Sequence, residues 1–302
     1  MVVKPFNYFA PKSLEEASAI LLKYHGDAKI LAGGQSLLPI MKLNLAEISY
    51  LVDIKRIPNM AFIKIDREPA SDNKEALFIG ALTTHSEVLH SGIVRRTIPL
   101  LTETASGIGH PLVRNRGTIG GSLSHCDPAA DLCVTSLALD AKMIIAGHDN
   151  ARRFVSAEKF IQGTFTTDLQ EGEILEKVCF PIPPAGTGYG FEKLTLGHGD
   201  FPLLVVSVLL RMNMMEDKTC EDAIIAVGGV AESAIRIKQA EETLRGKNEV
   251  GPEDIELASK TASELSNPAA DLEVSAGYKK KMVKVLVRRA LNKAMYRSSI
   301  NR

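Results

Sequence analysis

Two glycine pairs in the first half of the chain could bring bare backbone against an anion. The first stands in Ala32-Gly33-Gly34-Gln35-Ser36 and the second in Thr118-Ile119-Gly120-Gly121-Ser122. Each follows an apolar run and precedes a hydroxyl residue. Glycine accepts positive φ and lets a ligand approach because it has no Cβ, and successive N–H groups in such a turn can converge on an anion. Together the two turns predict a site for a diphosphate between them.

The alternative interpretation of each pair is a turn without a ligand. Gly-Gly sequences are common loop signals, and for a third pair, Gly228-Gly229, we expect only a turn. Neither of the first two pairs lies in a G-x-G-x-x-G or a G-x-x-x-x-G-K-[ST] sequence, so the sequence predicts neither a Rossmann site nor a P-loop.

Short helices and strands alternate around these turns. Ser13, with Glu16 three residues later, predicts the start of a helix, and the apolar residues 28–32 predict a buried strand that leads into the first glycine pair. Residues 62–65 and 77–79 predict the two strands of a hairpin. This alternation indicates an α+β or α/β class.

The glycine-rich segment at residues 108–121, which contains the second glycine pair, is predicted to be irregular. A helix is expected over residues 129–139 and a strand over residues 141–146. The second glycine pair should therefore lie in a loop.

A domain boundary is predicted at Phe180-Pro181-Ile182-Pro183-Pro184, because prolines in sequence end regular structure. We expect a first domain at residues 1–178, with subdomains at about 1–55 and 56–178, and a second domain at residues 179–302.

Composition and charge exclude several classes of protein. Among 302 residues, Lys+Arg and Asp+Glu are both 36, so there is no basic field to attract nucleic acid. We find neither a signal peptide nor an apolar run long enough to span a bilayer. The four scattered cysteines show no disulfide framework and no C-x-x-C motif, which predicts a reducing cytoplasm.

Six motifs occur in an order shared with a known family. They are Phe6-Asn7-Tyr8-Phe9-Ala10-Pro11, Ala32-Gly33-Gly34-Gln35-Ser36-Leu37-Leu38-Pro39, Thr118-Ile119-Gly120-Gly121, Phe191-Glu192-Lys193-Leu194, Gly199-Asp200-Phe201 and Arg288-Arg289-Ala290-Leu291. In these motifs the chain resembles the flavoprotein subunits of the molybdenum hydroxylases, such as the medium subunit of carbon monoxide dehydrogenase and the FAD domain of xanthine dehydrogenase. The resemblance implies an α+β fold. It consists of a vanillyl-alcohol-oxidase-type FAD-binding domain of two α/β subdomains and a smaller C-terminal α/β domain with an antiparallel sheet and helices.

The resemblance also implies which residues contact FAD. Backbone N–H groups and a hydroxyl would hold one side of the pyrophosphate at Ala32, Gly33, Gly34, Gln35 and Ser36. Leu31 and Leu37 would flank that loop. The second phosphate loop would consist of Thr118, Gly120, Gly121 and Ser122. Further implied neighbours of FAD are Ser124, His125, Asp131, Leu175, Lys193 and Phe201. Asp131 would bond a ribose or ribityl hydroxyl, and Phe201 would lie beside the isoalloxazine.

Two positions depart from the family pattern. Ser122 stands where many members have Asn, and it lacks the amide donor of Asn. Pro202 stands where members often have Ala, and it has no backbone N–H to donate. Simpler interpretations remain open for three others. Asp131 could be a carboxylate at a helix N-terminus, Lys193 could be a surface lysine on a strand, and Phe201 could be a core residue. His125-Cys126 has no further ligand at metal-binding spacing, so no metal site is predicted.

The resemblance implies an electron-transfer subunit with FAD as its cofactor and no catalytic residue of its own. A large subunit would carry molybdopterin and oxidise the substrate, and a small subunit would carry 2Fe–2S clusters. The complex would be a dimer of heterotrimers. This chain has no cysteine cluster for an iron–sulfur centre.

Two alternatives remain for the function. One is a stand-alone FAD-dependent oxidase of the same fold, which would need an acid–base pair beside the flavin; the sequence shows no convincing pair. The other is an assembly protein that binds no flavin. If the glycines serve to expose backbone to an anion, Gly33→Val and Gly120→Val should each give folded protein with weakened FAD binding.

Overall fold

The N-terminal part of the chain is a small parallel sheet with two helices. The computed structural model describes residues 4–68, 74–197, 199–213 and 218–300. The first elements are β1 (Asn7–Phe9), α1 (Leu14–Lys23), β2 (Ala28–Leu31), α2 (Leu37–Lys42) and β3 (Tyr50–Asp53). The strands pair in the order β1-β3-β2. Ser13 caps α1 as predicted, since its Oγ accepts a hydrogen bond from the N–H of Glu16 at 3.1 Å.

The middle part is a five-stranded antiparallel sheet with helices packed against it. Its elements are β4 (Ile63–Arg67), β5 (Glu75–Gly80), α3 (His85–His90), α4 (Gly92–Thr97), α5 (Pro99–Gly107), α6 (Pro111–Arg114), α7 (Ile119–His125), α8 (Asp131–Ala138), β6 (Lys142–Ala146), β7 (Arg152–Ser156), α9 (Ala157–Phe160), β8 (Ile161–Gly163), β9 (Thr166–Thr167) and β10 (Ile174–Pro181). The sheet order is β4-β5-β10-β6-β7. The predicted hairpin is confirmed by the antiparallel pairing of β4 with β5; residues 69–73 of its loop lie outside the described residues.

The glycine-rich segment is more regular than its sequence predicts. It contains α6 and the first turn of α7, which includes Gly120 and Gly121. Thr118 caps α7, because its Oγ1 accepts a hydrogen bond from the N–H of Gly121 at 3.1 Å. The prediction of an irregular segment is therefore wrong for this turn: the cap and the packing of the helix outweigh the poor helix propensity of glycine.

The C-terminal part is a four-stranded antiparallel sheet covered by helices. Its elements are β11 (Thr187–Leu194), β12 (Leu204–Met212), β13 (Cys220–Gly228), β14 (Ile235–Arg236), α10 (Lys238–Glu242), α11 (Pro252–Leu265) and α12 (Ala276–Ile300). Helix α12 packs directly on β11. A Cβ added at Gly188 or Gly190 would lie 1.9 or 2.0 Å from a carbonyl oxygen of α12, so both positions require glycine. The predicted α+β class, with an antiparallel sheet and helices at the C-terminal end, is confirmed.

The middle and C-terminal parts share a core. Phe191, Val205 and Ile224 of the four-stranded sheet belong to the same buried apolar cluster as the middle part. A buried hydroxyl pair, Thr135 Oγ1 and Ser207 Oγ at 2.8 Å, joins α8 to β12. Across the described residues, no helix combines the length and the apolar character needed to cross a membrane.

Candidate functional site

Most of the site residues that the sequence predicts line one cleft. Its volume is about 630 Å³, within the range of about 300 to 1,000 Å³ that is usual for small-molecule sites. The predicted residues that line it are Ala32, Gly33, Gly34, Gln35, Ser36, Leu37, Thr118, Gly120, Gly121, Ser122, Ser124, His125, Asp131, Leu175 and Phe201. Leu31 and Lys193 are the two predicted residues that do not line the cleft. Leu31 is buried beside Gly34.

The two glycine turns lie against each other at this cleft. A Cβ added at Gly33 would lie 2.2 Å from the carbonyl oxygen of Arg116, and one at Gly121 would lie 3.6 Å from Cβ of Ala32. A Cβ at Gly120 would lie 2.4 Å from Cβ of Ala81. Gly33 and Gly120 are therefore required by contacts with the protein itself. Valine at either position would strain the fold as well as the site, contrary to the expectation of an undisturbed fold.

The first turn lines the cleft and contains a run of backbone N–H groups that have no acceptor among the described residues. Within the described part of the chain, no residue accepts a hydrogen bond from the N–H groups of residues 33–37. Gly34 has φ +73°, the left-handed region that favours glycine. The side chain of Gln35 donates to the carbonyl oxygen of Gly33 at 3.3 Å, which folds the turn on itself. Such a run of N–H groups is suited to an anion.

The second turn differs from its prediction. The N–H groups of residues 119–122 all donate to protein oxygens, at distances of 2.9 to 3.1 Å. They are used in closing the first turn of α7 and in joining it to residues 81–83. The second turn therefore does not form a nest of free N–H groups. It contributes instead Ser122 and Ser124, which line the cleft from α7.

A buried ion pair joins the cleft to the C-terminal part. Asp131, at the start of α8, is 7% exposed, and Nζ of Lys193 on β11 lies 3.1 Å from its Oδ1. Lys193 also donates to the carbonyl oxygen of Gly107 at 2.8 Å. Burial raises the pKa of Asp131 to about 6, against the opposing effect of Lys193. Lys193 thus lies behind the cleft and fixes a carboxylate that faces it. The position of Asp131 also agrees with the simpler interpretation as a helix N-terminal carboxylate.

His85 is a cleft residue that the sequence did not reveal. It is 4% exposed and lies beside Gly117, and its Nδ1 has no hydrogen-bond partner in the part of the chain that the structure describes. Burial lowers the pKa of His85 from 6.5 to about 4, and the charge of Arg114 acts in the same direction. The sequence does contain the helix cap at Thr84 just before it, but no local pattern indicates that its ring is buried.

The low pKa of His85 makes stability depend on pH. In the unfolded chain His85 takes up a proton below pH 6.5, whereas the folded chain resists protonation until about pH 4. The contribution of neutral His85 to the free energy of unfolding is therefore fully present above pH 6.5 and is lost as the pH falls towards 4. We expect wild type to lose about 3 kcal/mol relative to His85→Gln over this interval. Urea unfolding of both proteins between pH 4 and pH 7 measures this difference. The exposed His148 provides the control His148→Gln, and parallel pH profiles for wild type and His85→Gln would contradict the expectation.

The other predicted residues of the cleft differ in their exposure. Phe201 is 74% exposed, so its interpretation as a core residue is wrong. The ring of His125 packs on Phe165, with centroids 4.8 Å apart, and burial lowers its pKa despite the opposing charge of Asp127. Leu175 is buried on β10. Residues 169–174 line the cleft as well, although no motif in the sequence marks them.

Two protein families match successive parts of the chain and together cover almost its whole length. The FAD binding domain in molybdopterin dehydrogenase matches residues 4–183, and the CO dehydrogenase flavoprotein C-terminal domain matches residues 189–294. The chain is similar to the carbon monoxide dehydrogenase medium chain of Hydrogenophaga pseudoflava, with 39% identity over 98% of this chain and 99% of the relative. It is also similar to the 6-hydroxypseudooxynicotine dehydrogenase complex subunit alpha of Paenarthrobacter nicotinovorans, with 34% identity over 97% and 95%.

A solved structure agrees with these similarities. Carbon monoxide dehydrogenase from Hydrogenophaga pseudoflava superimposes with a TM-score of 0.91 and 40% identity, covering 98% of this chain and 99% of that chain. The fold, the converging glycine turns and the sequence similarity along both halves lead to one conclusion. The chain belongs to the FAD-binding medium subunits of the molybdenum hydroxylase family.

Proposed function

We propose that the cleft between the glycine turns binds FAD, and that the chain relays electrons from iron–sulfur clusters of a partner subunit to an external acceptor. The observation that carries the proposal is the run of free N–H groups at residues 33–37, which opens on a cleft of about 630 Å³. A diphosphate is the part of FAD that needs such donors. When bound, FAD supplies the electron-transfer chemistry, and the protein binds and orients it.

Each wall of the cleft has a proposed role. The N–H groups of residues 33–37, together with the hydroxyl of Ser36, hold the diphosphate. The hydroxyls of Ser122 and Ser124 are available from the facing helix, and Thr118, Gly120 and Gly121 let that helix approach. Asp131, held by Lys193, accepts a hydrogen bond from a ribose or ribityl hydroxyl. The remaining proposed contacts are Ala32, Leu31, Leu37, His125, Leu175 and Phe201.

The chain is proposed to work within a larger complex. The names of its relatives, "medium chain" and "complex subunit alpha", describe subunits of assemblies. We propose a large molybdenum-cofactor subunit and a small iron–sulfur subunit as partners, in a cytoplasmic dimer of heterotrimers. Within the chain we propose an FAD-binding domain at residues 1–178, with subdomains at about 1–55 and 56–178, and a C-terminal domain at residues 179–302. The change of sheet between β10 and β11 supports a boundary in this region.

The experiment is to purify the full chain and measure its flavin. We expect yellow protein that, after removal of flavin, takes up one FAD per chain. It should be reduced by a chemical reductant but should oxidise no aldehyde or purine by itself. Colourless protein that takes up no FAD would favour the assembly protein, and turnover of a small substrate with oxygen by the isolated chain would favour the oxidase. Affinity purification from the native host should recover two further subunits, one of them containing molybdenum.

A further inference from the structure

A short segment without any recognised motif forms one wall of the cleft. Residues 168–174, here called the wall segment, follow β9 and lead into β10, and residues 169–174 line the cleft. The segment also contacts the N-terminal part. A Cβ added at Gly172, which has φ +76°, would lie 2.7 Å from Cγ of Leu22 on α1, and Glu171 contacts His25 through its carboxylate. The wall segment thus closes the cleft on the side of α1.

One guanidinium holds both ends of the wall segment. Arg153, on β7, donates from Nε to Oε1 of Glu173 and from Nη2 to Oε2 of Glu173, each at 2.6 Å. Nη2 also donates to the carbonyl oxygen of Asp168 at 2.6 Å, and Nη1 pairs with the Asp168 carboxylate. Bidentate arginine–carboxylate contacts fix geometry as well as charge. Because Glu173 also accepts from the N–H of Gln170 at 2.7 Å, the fold of the whole segment depends on Arg153.

The position of the wall segment indicates which half of a dinucleotide it faces. A diphosphate at residues 33–37 leaves one half of FAD on each side. One side of the cleft is lined by residues 108–109 and 199–202, where the ring of Phe201 is exposed. That open side suits a flavin that must exchange electrons with partners. The other side is lined by Leu21 and the wall segment, where the half-buried Leu169 offers apolar surface for a planar base.

We propose that Arg153 is a positioning residue that holds the wall segment against the adenosine half of FAD, and that it thereby sets the preference for FAD over FMN. The inference rests on the FAD site proposed above. Arg153 does not line the cleft. Its effect reaches the cofactor through Asp168 and Glu173.

The test separates the two halves of the cofactor. Flavin-free full chain is titrated with FAD, with FMN and with ADP, and the unfolding of the flavin-free protein in urea is followed in parallel. For Arg153→Met we expect Kd for FAD and for ADP to rise by about tenfold, with Kd for FMN unchanged. Arg153→Lys, which keeps the charge and loses the fork, should be intermediate. The matched control is Arg152→Met, on the neighbouring position of β7, whose ion pair is with Glu176 outside the cleft; it should change none of the three constants.

Several results would overturn the inference. Equal weakening of FAD and FMN binding would mean that Arg153 stabilises the fold without a specific effect on the adenosine half of the cofactor. Unchanged binding of all three ligands would mean that Arg153 has no role in the site. If Arg153→Met does not fold, Glu173→Gln removes one charge of the contact and carries the same expectation. Wild-type protein that binds neither FAD nor ADP would instead overturn the proposed function, so the two failures are distinguishable.

Discussion

Gly33→Ala is expected to lower the affinity for FAD by about 100-fold. The new Cβ would lie 2.2 Å from the carbonyl oxygen of Arg116 and 2.8 Å from Cα of Gly117. Both are backbone atoms, so they cannot rotate away as a flexible side chain could, and the two turns must separate. Overpacking of this kind costs about 1–3 kcal/mol. Because the strain falls between the turns that form the cleft, we expect most of it to appear as lost cofactor affinity.

The measurement is a fluorescence titration of flavin-free protein with FAD, with circular dichroism as a check of the fold. Gly277→Ala is the control, since a Cβ added at Gly277, in the first turn of α12, meets nothing within 4 Å; its FAD affinity should equal that of wild type, and its stability should be equal or up to about 1 kcal/mol higher. Wild-type affinity in Gly33→Ala would show that the turns are not held in close contact, and the account of the cleft would then be wrong.

Lys193→Met is expected to destabilise the protein by about 3–5 kcal/mol at pH 8, because it leaves a buried carboxylate without its partner. Asp131 already has a pKa raised to about 6, and loss of the lysine raises it further. A raised carboxyl pKa favours folding at low pH and opposes it as the pH rises from the unfolded value towards the folded one. The variant should therefore approach wild-type stability at pH 5 and fall well below it at pH 8.

Urea unfolding at the two pH values measures this difference. Lys193→Met combined with Asp131→Asn should recover part of the stability at pH 8, because no charge is then left buried. Lys218→Met provides the control: it removes an exposed ion pair with Glu249, and such pairs contribute little to stability. A constant deficit for Lys193→Met at both pH values would mean that the lysine acts through packing and its contact with Gly107, without control of the charge on Asp131.

Local constraints explain what the sequence revealed. The positive φ of Gly34 and the cap of Ser13 depend on residues within a few positions of each other, so residue type and spacing predict them. The alternation of apolar runs likewise predicted the β4–β5 hairpin and an α+β or α/β class. The ordered motifs, which extend over both halves, predicted the family, and most of the residues that they predicted for the site line the cleft.

Contacts between distant residues decided the rest. Gly33 is needed because of Arg116, and the N–H groups of residues 119–122 are already used, in part by residues 81–83. The burial of His85 and the attachment of the wall segment by Arg153 follow from the same kind of long-range packing. A sequence pattern indicates which groups a residue can offer. Only the tertiary structure decides whether those groups remain free for a ligand, because a backbone donor or a charged side chain bonds whichever partner the fold brings nearest.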